Sequence, residues 1–339
     1  MGRKRHNLAG LSRFVSDAFG QPPEGAKQNV ADAPPTSYTR KVSERDEADA
    51  TAFNAEGTAT KKRKVGLLGP GNEKHDATGL VPFYTDASEV PEHLRKYFFQ
   101  RERYFSLYTS GCLLDEEGWY SVTPELIAAQ IAERCRCDTV LDAFCGVGGN
   151  AIAFAQTCER VIALDTSPTR LALARHNATI YGVADRIEFI LGDYLEFANA
   201  YLSLPACNTR KIDVVFLSPP WGGPEYLAGD VTNEAQNGAS GQDAPETHPQ
   251  FSLAQMRPIH GAELFKLTRK ITRNVAYFLP RNTNLREVSS LLDEANLSTK
   301  GKQKPENVEI EEEWMGTKLK ALTCYFGGLA AGQEELFDA

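Results

Sequence analysis

The chain has 339 residues, 42% of them hydrophobic, which suffices for one sizeable core but not for two large domains with linkers. Lys and Arg number 37 against 45 Asp and Glu, and this net charge of -8 excludes a protein that coats nucleic acid with a basic surface. No apolar run reaches the roughly 18 residues of a membrane span, and the N-terminus M-G-R-K-R-H lacks the apolar core of a signal peptide. We therefore expect a soluble, intracellular protein without membrane contact.

Cysteine usage argues against both a disulfide framework and a metal centre. The chain has seven cysteines, an odd number, and none of them forms a C-x-x-C pair. This set favours reduced thiols, and neither a zinc site nor another bound metal is expected.

The N-terminal segment differs in composition from the rest. Residues 1–75 carry 13 Lys and Arg against 9 Asp and Glu, while residues 76–339 carry 24 against 36. Rich in Ala, Pro, Thr and Gly and without a sustained helical or strand period, residues 1–75 are predicted to be a disordered basic tail. Their run K-K-R-K-V at 61–65 suits either nuclear import or a solvated charged segment. Any RNA contact in the acidic body must depend on a few placed cations.

The body of the chain begins with a small helical extension, predicted at 76–120 from the aromatic and basic stretch K-Y-F-F-Q-R-E-R-Y-F-S-L-Y. From 121 to 328, apolar strands alternate with amphipathic helices, which indicates a parallel sheet covered by helices on both faces. Two final strands predict a closing antiparallel hairpin, and residues 329–339 are left as a C-terminal tail. The seven predicted strands lie at 139–144, 160–165, 186–191, 212–217, 274–279, 307–314 and 317–326. The predicted helices lie at 124–134, 148–157, 167–181, 194–203, 261–272 and 284–295.

A polar insertion at 223–257, containing N-E-A-Q-N-G-A-S-G-Q-D, interrupts this alternation just after the fourth strand. Loops that follow strand ends carry function in sheets of this kind. The insertion is therefore expected to cover a substrate.

The segment V-L-D-A-F-C-G-V-G-G-N at 140–150 runs from a buried strand into a glycine turn that opens a helix. Gly146 and Gly148 let the backbone approach a ligand closely, and the helix N-terminus offers unpaired N–H groups. A G-x-G-G turn alone also fits dinucleotide binding or tight packing, although it departs from the G-x-G-x-x-G pattern of dinucleotide sites. Phe144 and Asn150 of the same segment are further candidate cofactor contacts.

Acidic residues at three successive strand ends favour one of these interpretations. Asp142 lies in the first strand and suits the amino group of a methionine moiety. Asp165 ends the second strand about 20 residues on, where a carboxylate accepts hydrogen bonds from both ribose hydroxyls. Asp193 follows the third strand, where an adenine would lie. Together they predict a site for S-adenosylmethionine.

The segment D-V-V-F-L-S-P-P-W-G-G-P-E-Y at 213–226 places a stiff turn after the fourth strand. Because proline fixes φ and supplies no N–H, the carbonyl groups of Ser218 and Pro219 can accept both N–H groups of a planar amine. This would aim the nitrogen lone pair at a sulfonium methyl group for in-line displacement, with no general base required. Trp221 can stack on a base held there, although a Pro-Pro turn before a core tryptophan is the structural alternative. Ser218, Pro219 and Trp221 are the candidate catalytic residues.

These segments, with A-L-D, Y-F-L-P-R-N and the upstream E-G-W-Y-S-V-T-P-E, resemble the trimethylguanosine synthases, a family of RNA cap guanine-N2 methyltransferases. The resemblance extends from Lys96 to Gly328 and implies a Rossmann-like class I methyltransferase fold, an α/β seven-stranded sheet with a small helical N-terminal extension. It implies methylation of the exocyclic N2 amine of the 7-methylguanosine cap of small nuclear and nucleolar RNAs, giving 2,2,7-trimethylguanosine. Capped RNA is then the partner, snRNP and snoRNP core proteins are open candidates, and a monomer in the nucleus or nucleolus is expected.

The resemblance also implies roles for single residues. Trp221 would stack on the N7-methylated base, whose positive charge adds a cation-π contribution of about 0.5–2 kcal/mol. Lys96 and Arg281 would bind the cap phosphates, with ordinary surface cations as the alternative. Tyr226 would position the nucleotide. The residues that would close over the cofactor and base are Phe105, Thr123 and Ser121, and for Phe105 a plain core role is the alternative.

Three rival functions are weighed against cap methylation. A guanine-N2 methyltransferase of ribosomal or transfer RNA would share the glycine loop and the Pro-Pro turn, but the extension is too short for most dedicated RNA-binding domains. A cap-binding protein without turnover would show a broken cofactor site, whereas Asp142, Gly146 and Asp165 are all present. A protein methyltransferase is disfavoured because Trp221 and the Pro-Pro turn suit a flat amine better than a flexible lysine.

Overall fold

The computed structural model describes residues 66–205, 210–221, 250–298 and 305–338. The strands in this part of the chain are β1 (Thr139–Asp142), β2 (Arg160–Asp165), β3 (Ile187–Leu191), β4 (Val214–Leu217), β5 (Val275–Pro280), β6 (Glu309–Met315) and β7 (Lys318–Tyr325). They form one sheet in the order β3-β2-β1-β4-β5-β7-β6. The first five strands pair in parallel, and β7 lies antiparallel between β5 and β6. The predicted seven-stranded α/β sheet, with its closing antiparallel hairpin, is confirmed.

Helices cover both faces of this sheet. They are α1 (Glu92–Phe98), α2 (Arg101–Tyr104), α3 (Glu116–Ser121), α4 (Glu125–Arg134), α5 (Gly149–Thr157), α6 (Pro168–Ile180), α7 (Tyr194–Ser203), α8 (Gly261–Thr268), α9 (Leu285–Ser290) and α10 (Asp293–Ser298). Local sequence sets several starts. The Ser167 side chain caps α6, with a proline in the first turn, and the Asp193 side chain caps α7.

Alternation along the central strands divides the core into two layers. In β4, Phe216 points into the layer that holds the α4 and α5 side chains, and its ring lies 5.3 Å from that of Phe154. Its neighbour Leu217 packs in the opposite layer with residues of α7, α8 and α9. Because side chains alternate between faces, a strand covered on both sides must be apolar throughout. This accounts for the continuous apolar runs of β4 and β5.

The helical extension is held against α6 by two buried polar side chains. His176 accepts a hydrogen bond at Nδ1 from the Ala77 N–H (3.1 Å), and its Nε2 lies 3.0 Å from the Gly111 carbonyl oxygen. These partners fit a neutral imidazole that donates from Nε2, and burial lowers the pKa of His176. Asn177 accepts from the Leu113 N–H (2.8 Å) and donates to the Leu113 carbonyl (2.9 Å).

Segment ends differ from the prediction where tertiary contacts intervene. The helix predicted at 284–295 is two helices, α9 and α10, because Leu291 and Leu292 turn between them into the core. The helix predicted at 261–272 ends at Thr268, and Thr272 beyond it donates to the Asp213 carbonyl of the sheet (2.8 Å).

Both predicted tails contain ordered residues. Residues 66–75 form turns, and the Leu67 N–H donates to Thr78 Oγ1 (2.8 Å), while residues 1–65 lie outside the described part. In the C-terminal segment, the Leu329 carbonyl accepts from Arg134 (3.0 Å) and Gln333 is buried. The described helices include none long and apolar enough to cross a membrane, and the described residues hold no group of three or more His, Cys, Asp or Glu placed for a metal ion.

Candidate active site

The predicted site residues follow strands that end at one edge of the sheet. Asp142 is in register with Ala163 on β2 and with Phe216 on β4, and Asp165 closes β2. Because β1, β2, β4 and β5 are parallel, the segments that follow them meet at this carboxyl edge. Side chains distant in sequence therefore meet outside these strand ends, where sheets of this kind have their ligand cleft.

The glycine turn joins β1 to α5 and contacts β2. The Gly146 N–H donates to Asp165 Oδ2 (3.0 Å), and both Gly146 (φ 52°) and Gly148 (φ 91°) have backbone conformations that favour glycine. A Cβ at Gly146 would meet nothing within 4 Å, whereas one at Gly148 would lie 3.0 Å from the Ala174 Cβ. Gly146 therefore leaves open space for a ligand, while Gly148 allows close packing of the turn against α6.

Asp142 is a fully buried carboxyl group beside this turn. Its Oδ1 accepts a long hydrogen bond from the Phe144 N–H (3.4 Å), and among the described residues its buried Oδ2 has no hydrogen-bond partner. Burial, and next the nearby Asp165 charge, raise the pKa of Asp142 to about 7. An ammonium group bound here would supply the missing donor and favour the ionised carboxylate.

The two other acids have different surroundings. Asp165 accepts from the Gly146 N–H at one oxygen and from the Ser167 N–H (2.8 Å) at the other, and its side chain remains half-exposed. Each of these oxygens keeps a lone pair for a ligand hydroxyl. Asp193 Oδ1 instead accepts from the Leu195 and Glu196 N–H groups as the N-cap of α7. Its position at a strand end therefore has a structural explanation.

Thr123 and Asn150 meet beside the glycine turn. Asn150 Nδ2 donates to Thr123 Oγ1 (2.9 Å), and both side chains are buried. Within the described residues, the buried Asn150 Oδ1 has no partner. Ser121, the last residue of α3, is exposed.

Phe105 has the core position that was the alternative to a cofactor contact. Its side chain is 2% exposed, and its ring lies 6.1 Å from that of Tyr181. The adjacent Ser106 donates from its N–H to Glu125 at the start of α4, which fixes the segment. The structure thus places Phe105 in the packing between extension and domain.

The S-P-P-W turn follows β4 at the same edge. Ser218 Oγ donates to the Phe144 carbonyl (3.4 Å), which joins this turn to the glycine segment. Pro219 is buried and Pro220 is exposed. Trp221 is half-buried, with its ring centroid 5.3 Å from that of Phe278 and the ring planes 33° apart. One face of the indole is therefore backed by the β5 phenyl ring.

Tyr226 and most of the predicted insertion lie outside the described residues. The end of the insertion is described at 250–257, where the Phe251 N–H donates to the Asn282 carbonyl (2.9 Å). The Phe251 carbonyl accepts from the Asn284 N–H (2.9 Å). This part of the insertion is thus attached to the segment after β5.

Lys96 and Arg281, the predicted phosphate ligands, are both exposed. Lys96 Nζ lies 4.8 Å above the Tyr97 ring centroid, and Arg281 Nη1 donates to the Leu319 carbonyl on β7 (3.3 Å). These contacts orient both side chains, and neither contact neutralises the charge.

Arg170 and Asn177 are two connecting residues that the sequence did not reveal. Arg170, in the first turn of α6, donates from Nε to Asp115 Oδ2 (3.0 Å) and also pairs with Glu117. Asn177 donates to the Val147 carbonyl of the glycine turn (3.0 Å) as well as to the extension. Their partners lie 55 and 30 residues away in sequence, so no local pattern marks them.

A parallel sheet closed by an antiparallel strand, with a glycine turn between acidic strand ends, is the arrangement of the class I methyltransferases. Residues 137–237 and 243–329 match the family model described as RNA cap guanine-N2 methyltransferase. The chain belongs to this family, and the resemblance found in the sequence is confirmed.

Two trimethylguanosine synthases are among its relatives. The protein of Schizosaccharomyces pombe is 37% identical over 230 residues, which cover 65% of this chain and 84% of that protein. The protein of Saccharomyces cerevisiae is 36% identical over 202 residues, or 58% of this chain and 57% of its own length. Among solved structures, a putative methyltransferase from Porphyromonas gingivalis aligns with a TM-score of 0.45 at 12% identity, over 72% of this chain and 54% of that chain.

Proposed function

We propose that the chain transfers methyl groups from S-adenosylmethionine to the N2 amine of the 7-methylguanosine cap of small nuclear and nucleolar RNAs, producing 2,2,7-trimethylguanosine caps. The observation that carries the proposal is the S-P-P-W turn, joined by the Ser218–Phe144 hydrogen bond to the segment that holds the buried Asp142 carboxyl. An amine-binding turn and an ammonium-binding carboxyl then lie on one cleft. The two relatives named above carry the corresponding activity in their names.

The cofactor side of the cleft fits S-adenosylmethionine. The Asp142 Oδ2 that lacks a described partner would accept from its ammonium group, and Asp165 would accept from its ribose hydroxyls. The open space at Gly146 would let the backbone approach the ligand. When bound, the cofactor supplies an electrophilic methyl group on a positively charged sulfur.

The amine side works by positioning. The carbonyl oxygens of Ser218 and Pro219 would accept the two N–H groups of N2, which leaves the nitrogen lone pair directed across the cleft. The N2 proton leaves after the attack, so no side chain needs to act as base. The buried His176 is not suited to that role, because backbone groups engage both of its ring nitrogens.

Trp221 supports selection of an N7-methylated guanine. Phe278 backs one face of the indole, and a cationic base stacked on the other gains about 0.5–2 kcal/mol over a neutral one. The exposed Lys96 and Arg281 would bind the cap phosphates. The proposal includes a monomer located in the nucleus or nucleolus, supported by the basic run at 61–65, with RNP core proteins as candidate partners.

The test is methylation of 7-methyl-GDP, GDP and transfer RNA in parallel, with the product identified by mass spectrometry. Only 7-methyl-GDP should gain methyl groups, and the mass of its product gives their number. Equal methylation of GDP, or methylation of transfer RNA alone, would contradict the proposal.

A further inference from the structure

Four cationic side chains from three segments lie close enough to act on one another near the start of β7, since the charges of Lys318, Arg103 and Arg281 all lower the pKa of Lys320. Lys318 and Lys320 lie at the start of β7, Arg281 follows β5, and Arg103 lies in α2. The Arg281 guanidinium donates to the carbonyl of Leu319, the residue between the two lysines (3.3 Å). We call these four residues the basic cluster.

A β-bulge directs Lys320. Glu313 of β6 pairs with Ala321, but the next residue, Trp314, pairs with Leu319, so Lys320 is the extra residue on β7. Bulges locally bend a strand and re-aim a side chain, and they recur beside functional sites. Lys320 is half-buried, and its side chain is therefore not fully extended into solvent.

Among the described residues, the cluster brings like charges together without a carboxylate that pairs with any of them. Burial lowers the pKa of Lys320, and the charges of Lys318, Arg103 and Arg281 lower it further. Across the described ranges, none of the four side chains forms an ion pair with a carboxylate. The nearest acids of β6 have other partners, since Thr323 donates to Glu313 and the Trp314 indole donates to Glu312. A bound anion would relieve this repulsion.

The cluster continues the proposed cap site. Phe278, which backs Trp221, precedes Arg281 by three residues, or about 10 Å along the strand at ~3.3 Å per residue. On the extension side, Arg103 lies in α2, which follows α1, the helix that carries Lys96, after a gap of two residues. The cations thus extend from the two proposed phosphate ligands toward the start of β7.

We propose that the basic cluster binds the backbone phosphates of the RNA chain just beyond the cap. This rests on the proposed function, since it assigns the path of the substrate whose base lies at Trp221. Contacts to successive phosphates are independent of sequence and strengthen binding of an RNA over a free cap nucleotide. Together, the cap site would recognise the methylated guanine and the cluster the attached RNA.

The test compares 7-methyl-GDP with a short capped oligoribonucleotide as substrates at several salt concentrations. Wild-type protein should show a lower KM and a steeper salt dependence for the capped oligonucleotide. Lys320→Ala and Arg103→Ala should each raise that KM about three- to tenfold with kcat unchanged, and lower the slope of log KM against log salt by about 0.7. The values for 7-methyl-GDP should stay within about twofold.

Controls separate charge from folding and RNA from other anions. Lys320→Arg should retain the wild-type KM, and Lys270→Ala, an exposed lysine after α8, should have no effect. Equal changes for both substrates, or no change for either, would overturn the proposal, as would stronger inhibition by an acidic peptide than by an uncapped oligoribonucleotide. If instead the proposed function were wrong, wild-type protein would methylate neither substrate. Fluorescence anisotropy would in that case still show weaker oligoribonucleotide binding by Lys320→Ala.

Discussion

Replacing Asp142 with asparagine should improve folding stability while weakening cofactor binding. The pKa of this fully buried carboxyl rises from 3.8 to about 7, because burial penalises the charged form and Asp165 adds repulsion. At about 1.4 kcal/mol per pKa unit, the shift means that the folded protein is about 4 kcal/mol more stable with Asp142 protonated than with Asp142 ionised. Since the folded-state pKa is the higher one, this stability is complete below about pH 4 and is lost as pH rises through about 7.

The side chain of the asparagine variant cannot ionise, so the variant should not lose this unfolding free energy as pH rises. Its unfolding free energy relative to wild type should therefore increase by up to about 4 kcal/mol between about pH 4 and about pH 8. Urea unfolding of the ligand-free protein, followed by tryptophan fluorescence, measures the difference. Calorimetry should show that wild type binds S-adenosylmethionine more tightly as pH rises to about 7, and that the variant binds weakly throughout this range.

Glu313→Gln is the matched control. Glu313 is 1% exposed on β6, and burial likewise raises its pKa to about 7. Its replacement should remove a similar pH dependence of stability without changing cofactor affinity. If the difference in unfolding free energy between wild type and Asp142→Asn did not depend on pH, Asp142 would not be protonated in the folded protein above about pH 4. An equal loss of cofactor affinity in Glu313→Gln would refute the binding role of Asp142.

Four further substitutions test other parts of the structure. Trp221→Ala should lower kcat/KM for 7-methyl-GDP by about five- to 150-fold, from about 1–3 kcal/mol of lost stacking, while the cofactor affinity measured by calorimetry stays unchanged. A parallel loss of cofactor affinity would indicate a core role for Trp221. Gly148→Ala places its Cβ 3.0 Å from that of Ala174 at φ 91°, so thermal unfolding should show a loss of about 1–3 kcal/mol. Gly146→Ala should impair cofactor binding more than stability, and the reverse ranking would argue against the open space there. Asn177→Ala removes three buried hydrogen bonds and should cost about 3 kcal/mol or more in urea unfolding, whereas a loss below about 1 kcal/mol would show that water replaces them.

The order of the sheet elements could be predicted because burial on both faces makes β4 and β5 continuous apolar runs. Helix ends were less predictable, since tertiary contacts decide them. The turn at Leu291 and Leu292 has helix-compatible residues and exists because both leucines enter the core. Local helix propensity does not depend on such a tertiary contact and therefore cannot predict it.

The strand-end residues of the candidate site could be predicted because parallel strands bring their carboxyl ends to one edge. Asp193 shows the limit of this reasoning, since an acid before a helix is equally a capping signal. Phe105 shows another, because an aromatic residue near a site looks the same in sequence whether it contacts ligand or core. The docking role of His176 depends on a partner 99 residues away.

Asn177 has a consequence for how the molecule opens. One side chain is bonded both to Leu113 in the extension and to Val147 in the glycine turn. Neither region can separate from α6 without breaking these bonds, so the two should unfold as a single cooperative unit. In amide hydrogen exchange, the Leu113 N–H should therefore report on the glycine turn, and cofactor binding should slow its exchange. A fragment starting at residue 121 would lose the hydrogen bonds between Asn177 and Leu113 together with the extension.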